Sequence, residues 1–224
     1  MMLMDTFIIG GTPSSGKTAA ILRVLALTGG PARPGIVKLD CIETDDDAVF
    51  RRHGFPAIAM LAGRICPDHC LMERFPEATA WAAGEGLTML VVETAGLCGR
   101  CAPYRVDAGA VCVIDCTAGV DAPRKLGPHL ADADVCVVTR GDLVSQTERE
   151  VFVHGVRTRN PRAPIVWLNG LTGEGASSLA AALRGLTARG RRLQATVVPG
   201  PRTPLPQMYC SYCFGRSEIG LTTY

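Results

Sequence analysis

The chain has 224 residues, 47% hydrophobic and 20% charged, enough for one substantial domain with a packed core and short for two. A net charge of +2, no basic run and only 5% aromatic residues argue against a nucleic-acid partner. The apolar runs are strand-sized, which excludes membrane insertion by a helix, and MMLMDTFIIGGT lacks the basic start of a signal peptide, so the expected compartment is the cytoplasm.

FIIGG (7–11) reads as a first strand and runs into GTPSSGKT (11–18), a G-x-x-x-x-G-K-[ST] pattern between strand and helix. Gly11, Ser14, Ser15 and Gly16 would turn backbone N–H groups around phosphate oxygens at a helix N-terminus. Lys17 would reach the β- and γ-phosphates, and the Thr18 hydroxyl would bind Mg2+. The helix TAAILRVLALTGG follows, ending at Gly29-Gly30. GIVKLD (35–40) is a second strand. Its last residue, Asp40, sits where sheets of this kind bind ligands and is a candidate for Mg2+ or the attacking water, with Asp45 to Asp47 as rivals.

AIAML (57–61) is a weak third strand. ICPDHC then gathers Cys66, His69 and Cys70 within five residues, and His69 to Gly84 reads as helical, with Pro76 as a break or a new start. TMLVVE (88–93) is a strand closed by Glu93, a second candidate for Mg2+ or the attacking water. Gly96 follows in an E-x-x-G spacing suited to sensing a γ-phosphate on the same face. LCGRC then sets Cys98 and Cys101 at the chelating C-x-x-C spacing. Two such pairs supply four sulfurs, which suits tetrahedral Zn2+ or an iron–sulfur cluster; adding His69 suits Ni2+ or Zn2+.

AVCVID (110–115), VCVVT (135–139) and PIVWLN (164–169) complete the strands, with helices near 145–158 and 174–188. Cys112, Cys116 and Cys136 lie in or beside strands and read as buried apolar thiols. Cys41 stays outside the core ligand set. Thr139, Arg140 and Asp142 fall where such a sheet places its base reader. Asp142 would accept hydrogen bonds from guanine N1 and N2, donors that adenine lacks, and the Arg140 stem would lie on the base. Apolar strands alternating with helices predict a three-layer α/β domain over 1–192, its mainly parallel sheet covered on both faces. LQATVV (193–198) reads as an edge strand that opens a tail, 193–224, packing on the domain or a partner. The tail carries four prolines in nine residues (199–207) and then CSYCFG. Its Cys210 and Cys213 complete the metal site, form their own, or hand metal to a partner.

In chain order, GTPSSGKT, VKLD with its acidic follow-on, CPDHC, LVVETAG, IDCTAGVDAPRKLGPHLADADVCVVTRGDL and VRTRNPRAPIVWLNGLTGEG give the chain a family likeness. It resembles the urease-accessory and hydrogenase-maturation nickel GTPases, in the class of phosphate-loop proteins that includes the nitrogenase iron protein. The resemblance implies a P-loop GTPase that dimerises with nucleotide and moves or inserts a metal into a target enzyme. It puts Lys17, Thr18, Asp40 and Glu93 on catalytic and Mg2+ positions. It puts Cys66, Pro67, His69 and Cys70 in the place of a Cys-Pro-His or Cys-His metal motif. Several features depart from the family pattern. Thr139-Arg140-Gly141-Asp142 stands for Asn-Lys-x-Asp, Asp68 is inserted before His69, and LCGRC and CSYCFG are additions. Three functions follow: a metal-delivery GTPase acting on a target metalloenzyme or its assembly proteins, a nucleotide-gated iron–sulfur carrier or electron donor, and a zinc-stabilised regulatory switch.

Overall fold

Seven short runs of branched and apolar residues become seven strands, because residues of this kind fit a pleated sheet covered on both faces. They are β1 (Asp5–Gly11), β2 (Pro34–Asp40), β3 (Ala57–Leu61), β4 (Met89–Thr94), β5 (Gly109–Asp115), β6 (Val135–Thr139) and β7 (Ile165–Leu168). The structure is a computed structural model that describes residues 4–28, 32–63, 65–96, 101–193 and 198–203, with the side chains of 188–193 left aside. All seven strands are parallel, in the order β3-β2-β4-β1-β5-β6-β7.

The period-2 alternation of side chains sorts each strand between two cores. Ile8, Val37, Leu39, Val92, Ile114 and Val138 face α3 (Pro67–Gly84), α5 (Pro128–Ala131) and α6 (Gln146–Arg159), where Leu71, Leu130 and Phe152 meet them. Phe7, Ile9, Ile36, Val91, Val111 and Val137 face α1 (Lys17–Leu25), α2 (Asp46–Arg52) and α7 (Ala176–Leu193), where Ile21, Phe50 and Leu179 meet them. A short α4 (Ala122–Lys125) completes the helices of the described residues. Cys112 and Cys136 are fully buried between strands, as expected, and Cys116 is buried in the turn after β5. β1 lies between β4 and β5, so its carboxyl end is a switch point at which such sheets bind ligands.

Three local expectations change. The helix α2 is additional: DDAVFRR buries only Phe50, so no apolar stripe announces it. Helix α3 starts at Pro67 and runs through Pro76 without a break. Phe75 and Ala78, both buried, hold the chain in helical register on either side of the missing amide. Leu193, expected to open an edge strand, ends α7 instead, one residue past the expected domain boundary; 194–197 lie outside the described residues.

Residues 200–202 return to the domain. Pro201 bridges Arg105 antiparallel, Val106 N donates to Gly200 O at 2.9 Å and Arg202 N to Tyr104 O at 2.9 Å. The Arg202 guanidinium donates to the carbonyls of Arg105, Ala108 and Asp132 and to Asp134 Oδ2. Among the described residues no helix is long and apolar enough to cross a membrane.

Candidate nucleotide and metal sites

The loop from Gly11 to Thr18 joins β1 to α1 and closes on itself. Lys17 Nζ donates to Thr12 O at 2.7 Å and to Gly11 O at 3.3 Å. Burial lowers the Lys17 pKa to about 8, against the pull of Glu93. Ser14 holds a left-handed φ of 57°, and Gly16 does the same as the N-cap of α1. Ser15 is buried, and its carbonyl accepts from Thr139 Oγ1 at 2.8 Å. Thr139, standing where the resembling family has Asn, therefore ties the loop after β6 to the phosphate loop. Gly96 (φ 74°) presses on the same loop: a Cβ there would lie 1.6 Å from Gly11 O. The E-x-x-G glycine touches the P-loop through a contact that only glycine permits.

One hydroxyl and several carboxylates converge beside Lys17. Thr18 Oγ1 donates to both Glu93 oxygens, at 3.0 and 3.2 Å. Glu93 is 1% exposed; burial pushes its carboxyl up and Lys38 draws it back. Lys38 Nζ lies 2.8 Å from Glu93 Oε1, 2.7 Å from Asp46 Oδ2 and 3.8 Å from Asp40 Oδ2. Burial penalises its charge, but Glu93 and Asp46 outweigh that and raise its pKa. Asp40 Oδ1 accepts from Cys41 N, while Asp47, one rival, pairs with Arg51. Asp46 is the rival that reaches this cluster. Hard oxygen donors of this kind on one face fit Mg2+.

At the other end of the loop, Gly141, Asp142, Trp167, Asn169, Glu174 and Ser178 line a cavity of about 390 Å3. Asp142 is exposed on its wall. The Arg140 guanidinium pairs with Asp115.

The third cluster lies at the start of α3. Ligand atoms of Cys66, His69 and Cys101 all fall within 4.8 Å of one another, and all three residues are buried. Cys101 Sγ is 3.8 Å from His69 Nδ1. Cys66 is the N-cap of α3, and Pro67 at the first helical position fixes the turn that brings His69 back toward it. Cys70 does not join this group. Its thiol is buried in the core and interacts with Arg74, and burial pushes its pKa up. Cys98, Cys210 and Cys213 lie outside the described residues. Thiolates and an imidazole at this separation suit a borderline-soft ion such as Zn2+ or Ni2+.

Behind the cluster is a buried pair that the sequence reading passed over. Asp68 Oδ2 is 3.2 Å from His129 Nε2, with both side chains at most 2% exposed. His129, in α5, packs edge-on to Tyr104 and against the backbone of Gly10, just before the phosphate loop. Three buried atoms here have no hydrogen-bond partner among the described residues: Asp68 Oδ1, His69 Nε2 and His129 Nδ1. Lys38 was passed over too. A lysine inside GIVKLD, a strand buried on both faces, was the available signal, since a buried ammonium requires a counter-ion.

A parallel sheet with a P-loop at its switch point, and oxygen donors beside that loop, defines an α/β P-loop nucleotide-binding protein. Residues 5–167 match the CobW/HypB/UreG nucleotide-binding domain, and the chain belongs to that family. An uncharacterized protein, MJ0120 of Methanocaldococcus jannaschii, is 44% identical over 178 residues, covering 79% of this chain and 76% of that protein. Urease accessory protein UreG 2 of Methylorubrum extorquens is 29% identical over 76% of this chain and 86% of its own length. The hydrogenase maturation factor HypB of Azotobacter chroococcum is 25% identical over 83% of this chain, which spans 61% of that protein. Among solved structures, HypB from Archaeoglobus fulgidus superposes with a TM-score of 0.66 at 25% identity, over 82% of this chain and 90% of that one. HypB from Helicobacter pylori in complex with nickel shares the fold, with a TM-score of 0.67 at 18% identity over 85% and 89%.

Proposed function

We propose that this protein is a GTPase that couples nucleotide binding and hydrolysis to delivery of Ni2+ or Zn2+ into a target metalloenzyme or its assembly proteins. One observation carries the reading: Cys101 follows Gly96 by five residues, and Gly96 rests on the P-loop while Cys101 meets Cys66 and His69. The urease-accessory and hydrogenase-maturation relatives support the same class of work.

In this reading Lys17 leaves the carbonyls of Gly11 and Thr12 for the β- and γ-phosphates. Thr18, Asp40 and Glu93 would hold Mg2+, which when bound neutralises charge on the phosphate oxygens. Glu93 or Asp40 orients the attacking water. Asp142 selects guanine, and Thr139 keeps that selection in register with the P-loop. Gly96 senses the γ-phosphate, and when hydrolysis removes that group the segment that carries Cys101 shifts. That shift separates one thiolate from Cys66 and His69 and frees the cargo ion. Three donors leave one place in a tetrahedron. We assign it to Cys98, to the Cys210/Cys213 pair, or to a second copy in a nucleotide-dependent homodimer, acting in the cytoplasm. The mixed thiolate and imidazole set favours a single ion over an iron–sulfur cluster, which is held mainly by thiolates.

The test is metal release. Protein prepared without oxygen and loaded with one equivalent of Ni2+ or Zn2+ is mixed with a chromogenic chelator. Release should quicken at least about tenfold with Mg2+·GTP compared with a non-hydrolysable analogue, the scale of an ordinary coupling free energy. Release indifferent to nucleotide would sink the proposal. Iron with matching acid-labile sulfide in the purified protein would replace it with the cluster reading.

A further inference from the structure

Lys38 has no part in the mechanism above, yet it is among the costliest residues in the chain to bury. It is 4% exposed within β2, where an unpaired ammonium would be strongly destabilising. It is matched by Glu93 at 2.8 Å, Asp46 at 2.7 Å and Asp40 at 3.8 Å. Two of these, with Thr18, are the groups assigned above to Mg2+. Glu93 Oε1 accepts from both Lys38 Nζ and the Thr18 hydroxyl, and that hydroxyl also reaches Oε2.

We infer that Lys38 is a specificity-determining residue of the catalytic-metal site. Its tethered ammonium keeps free divalent cations, cargo metal included, away from Thr18, Asp40 and Glu93, and admits Mg2+ only in company with nucleotide phosphates. The argument is electrostatic. Lys17 and Lys38 neutralise most of the charge of the three carboxylates, so a bare divalent ion meets little net attraction and a like charge within a few ångströms. A nucleotide triphosphate brings its own negative charge and draws Lys17 toward itself, which restores the demand for a cation. Lys38 can then yield Glu93 while keeping Asp46, its nearer partner at the start of α2. A protein that handles transition metals has a specific need for this exclusion, because carboxylates left unneutralised beside the P-loop would compete with Cys66, His69 and Cys101 for the cargo. The inference rests on the assignment of Thr18, Asp40 and Glu93 to Mg2+.

Mn2+ is the probe, since it takes hard oxygen sites and is the weakest of the first-row divalent ions at thiolate and imidazole. Bound Mn2+ is counted by electron paramagnetic resonance on the full chain, with and without a non-hydrolysable GTP analogue. The wild type should bind Mn2+ at this site only with the analogue. Lys38→Met should bind one Mn2+ per chain without nucleotide, at least about tenfold tighter than the wild type, as loss of a neighbouring like charge requires. Lys38→Arg should keep the exclusion. Wild-type protein that takes up Mn2+ without nucleotide as tightly as with it overturns the inference, whether or not Lys38→Met folds. Asp46→Asn leaves Lys38 on Glu93 and should also keep the exclusion; if it admits Mn2+, the barrier is the docking of α2 and the inference fails. If Mn2+ bound with the analogue is unaffected by Thr18→Ala and Glu93→Gln, the Mg2+ assignment is what has failed.

Discussion

The P-loop face and the cysteine–histidine cluster hold their buried charged groups differently, although each has orphaned atoms among the described residues, with Ser15 Oγ and Thr94 Oγ1 lying at the first. At the P-loop face the ammonium groups are engaged: Lys17 with two loop carbonyls, Lys38 with three carboxylates. Around Cys66, His69 and Cys101, three buried atoms on Asp68, His69 and His129 are left without partners among the described residues. Charged groups satisfied from within resist intrusion, because any ligand must replace bonds that already exist. A network with orphaned atoms is higher in free energy by roughly 1–3 kcal/mol per group until something satisfies them. The first arrangement suits a site that opens only to its own nucleotide. The second suits a site that takes its ligand readily.

The contrast breaks most sharply at Gly96. Gly96→Ala drives a carbon into Gly11 O and displaces the P-loop. GTP hydrolysis should fall at least about 100-fold, the scale of a 1 Å misplacement, while affinity for Ni2+ or Zn2+ stays within about twofold. Steady-state phosphate release and a chelator competition on the same preparation check both halves. The reverse experiment is His129→Leu, which strands the buried Asp68 carboxylate behind the cluster. Metal affinity should drop about tenfold, because the stranded carboxylate directly precedes His69 at the start of α3. GTP hydrolysis without cargo metal should change by less than about threefold. If both activities fall together, the two regions are not separable in this way.

The smallest effect is that of pH on Lys17. Its pKa is about 8 in the folded chain against 10.5 as a free side chain. Between those values the unfolded chain carries a proton that the native chain has released, so the Lys17 contribution to stability rises with pH there and is flat below about 8. Nucleotide binding has the opposite sign, because only the charged lysine pairs with phosphate. GTP affinity should fall about three- to tenfold from pH 7 to pH 9, with proton uptake on binding near pH 8.5, both readable by calorimetry in two buffers.

The strands were legible because their apolar runs are continuous and bounded, and the P-loop because strand, glycines, lysine and helix occur together. Periodicity could not announce α2, whose single buried residue makes no stripe. Spacing alone could not tell Cys70 from Cys66 and His69. The helix turns about 100° between adjacent residues, and Cys70 falls on the core side. Asp68 looked like an insertion into a metal motif, and its partner His129 lies far along the chain, so the pair is visible only in three dimensions. Lys38 needed only a stricter question of the sequence: what neutralises a lysine in a strand with no polar face?

The place of β1 in the sheet also governs when the protein becomes competent. Ile9 pairs with Glu93 and Gly10 with Cys112, so the strand that feeds the P-loop is flanked only by segments made much later. Parallel pairing across such separations is slow to form, since loop closure has to precede any gain from contact. A growing chain therefore carries its glycine loop long before it has anything to brace it. Nucleotide capture is expected only after β4 and β5 have joined β1.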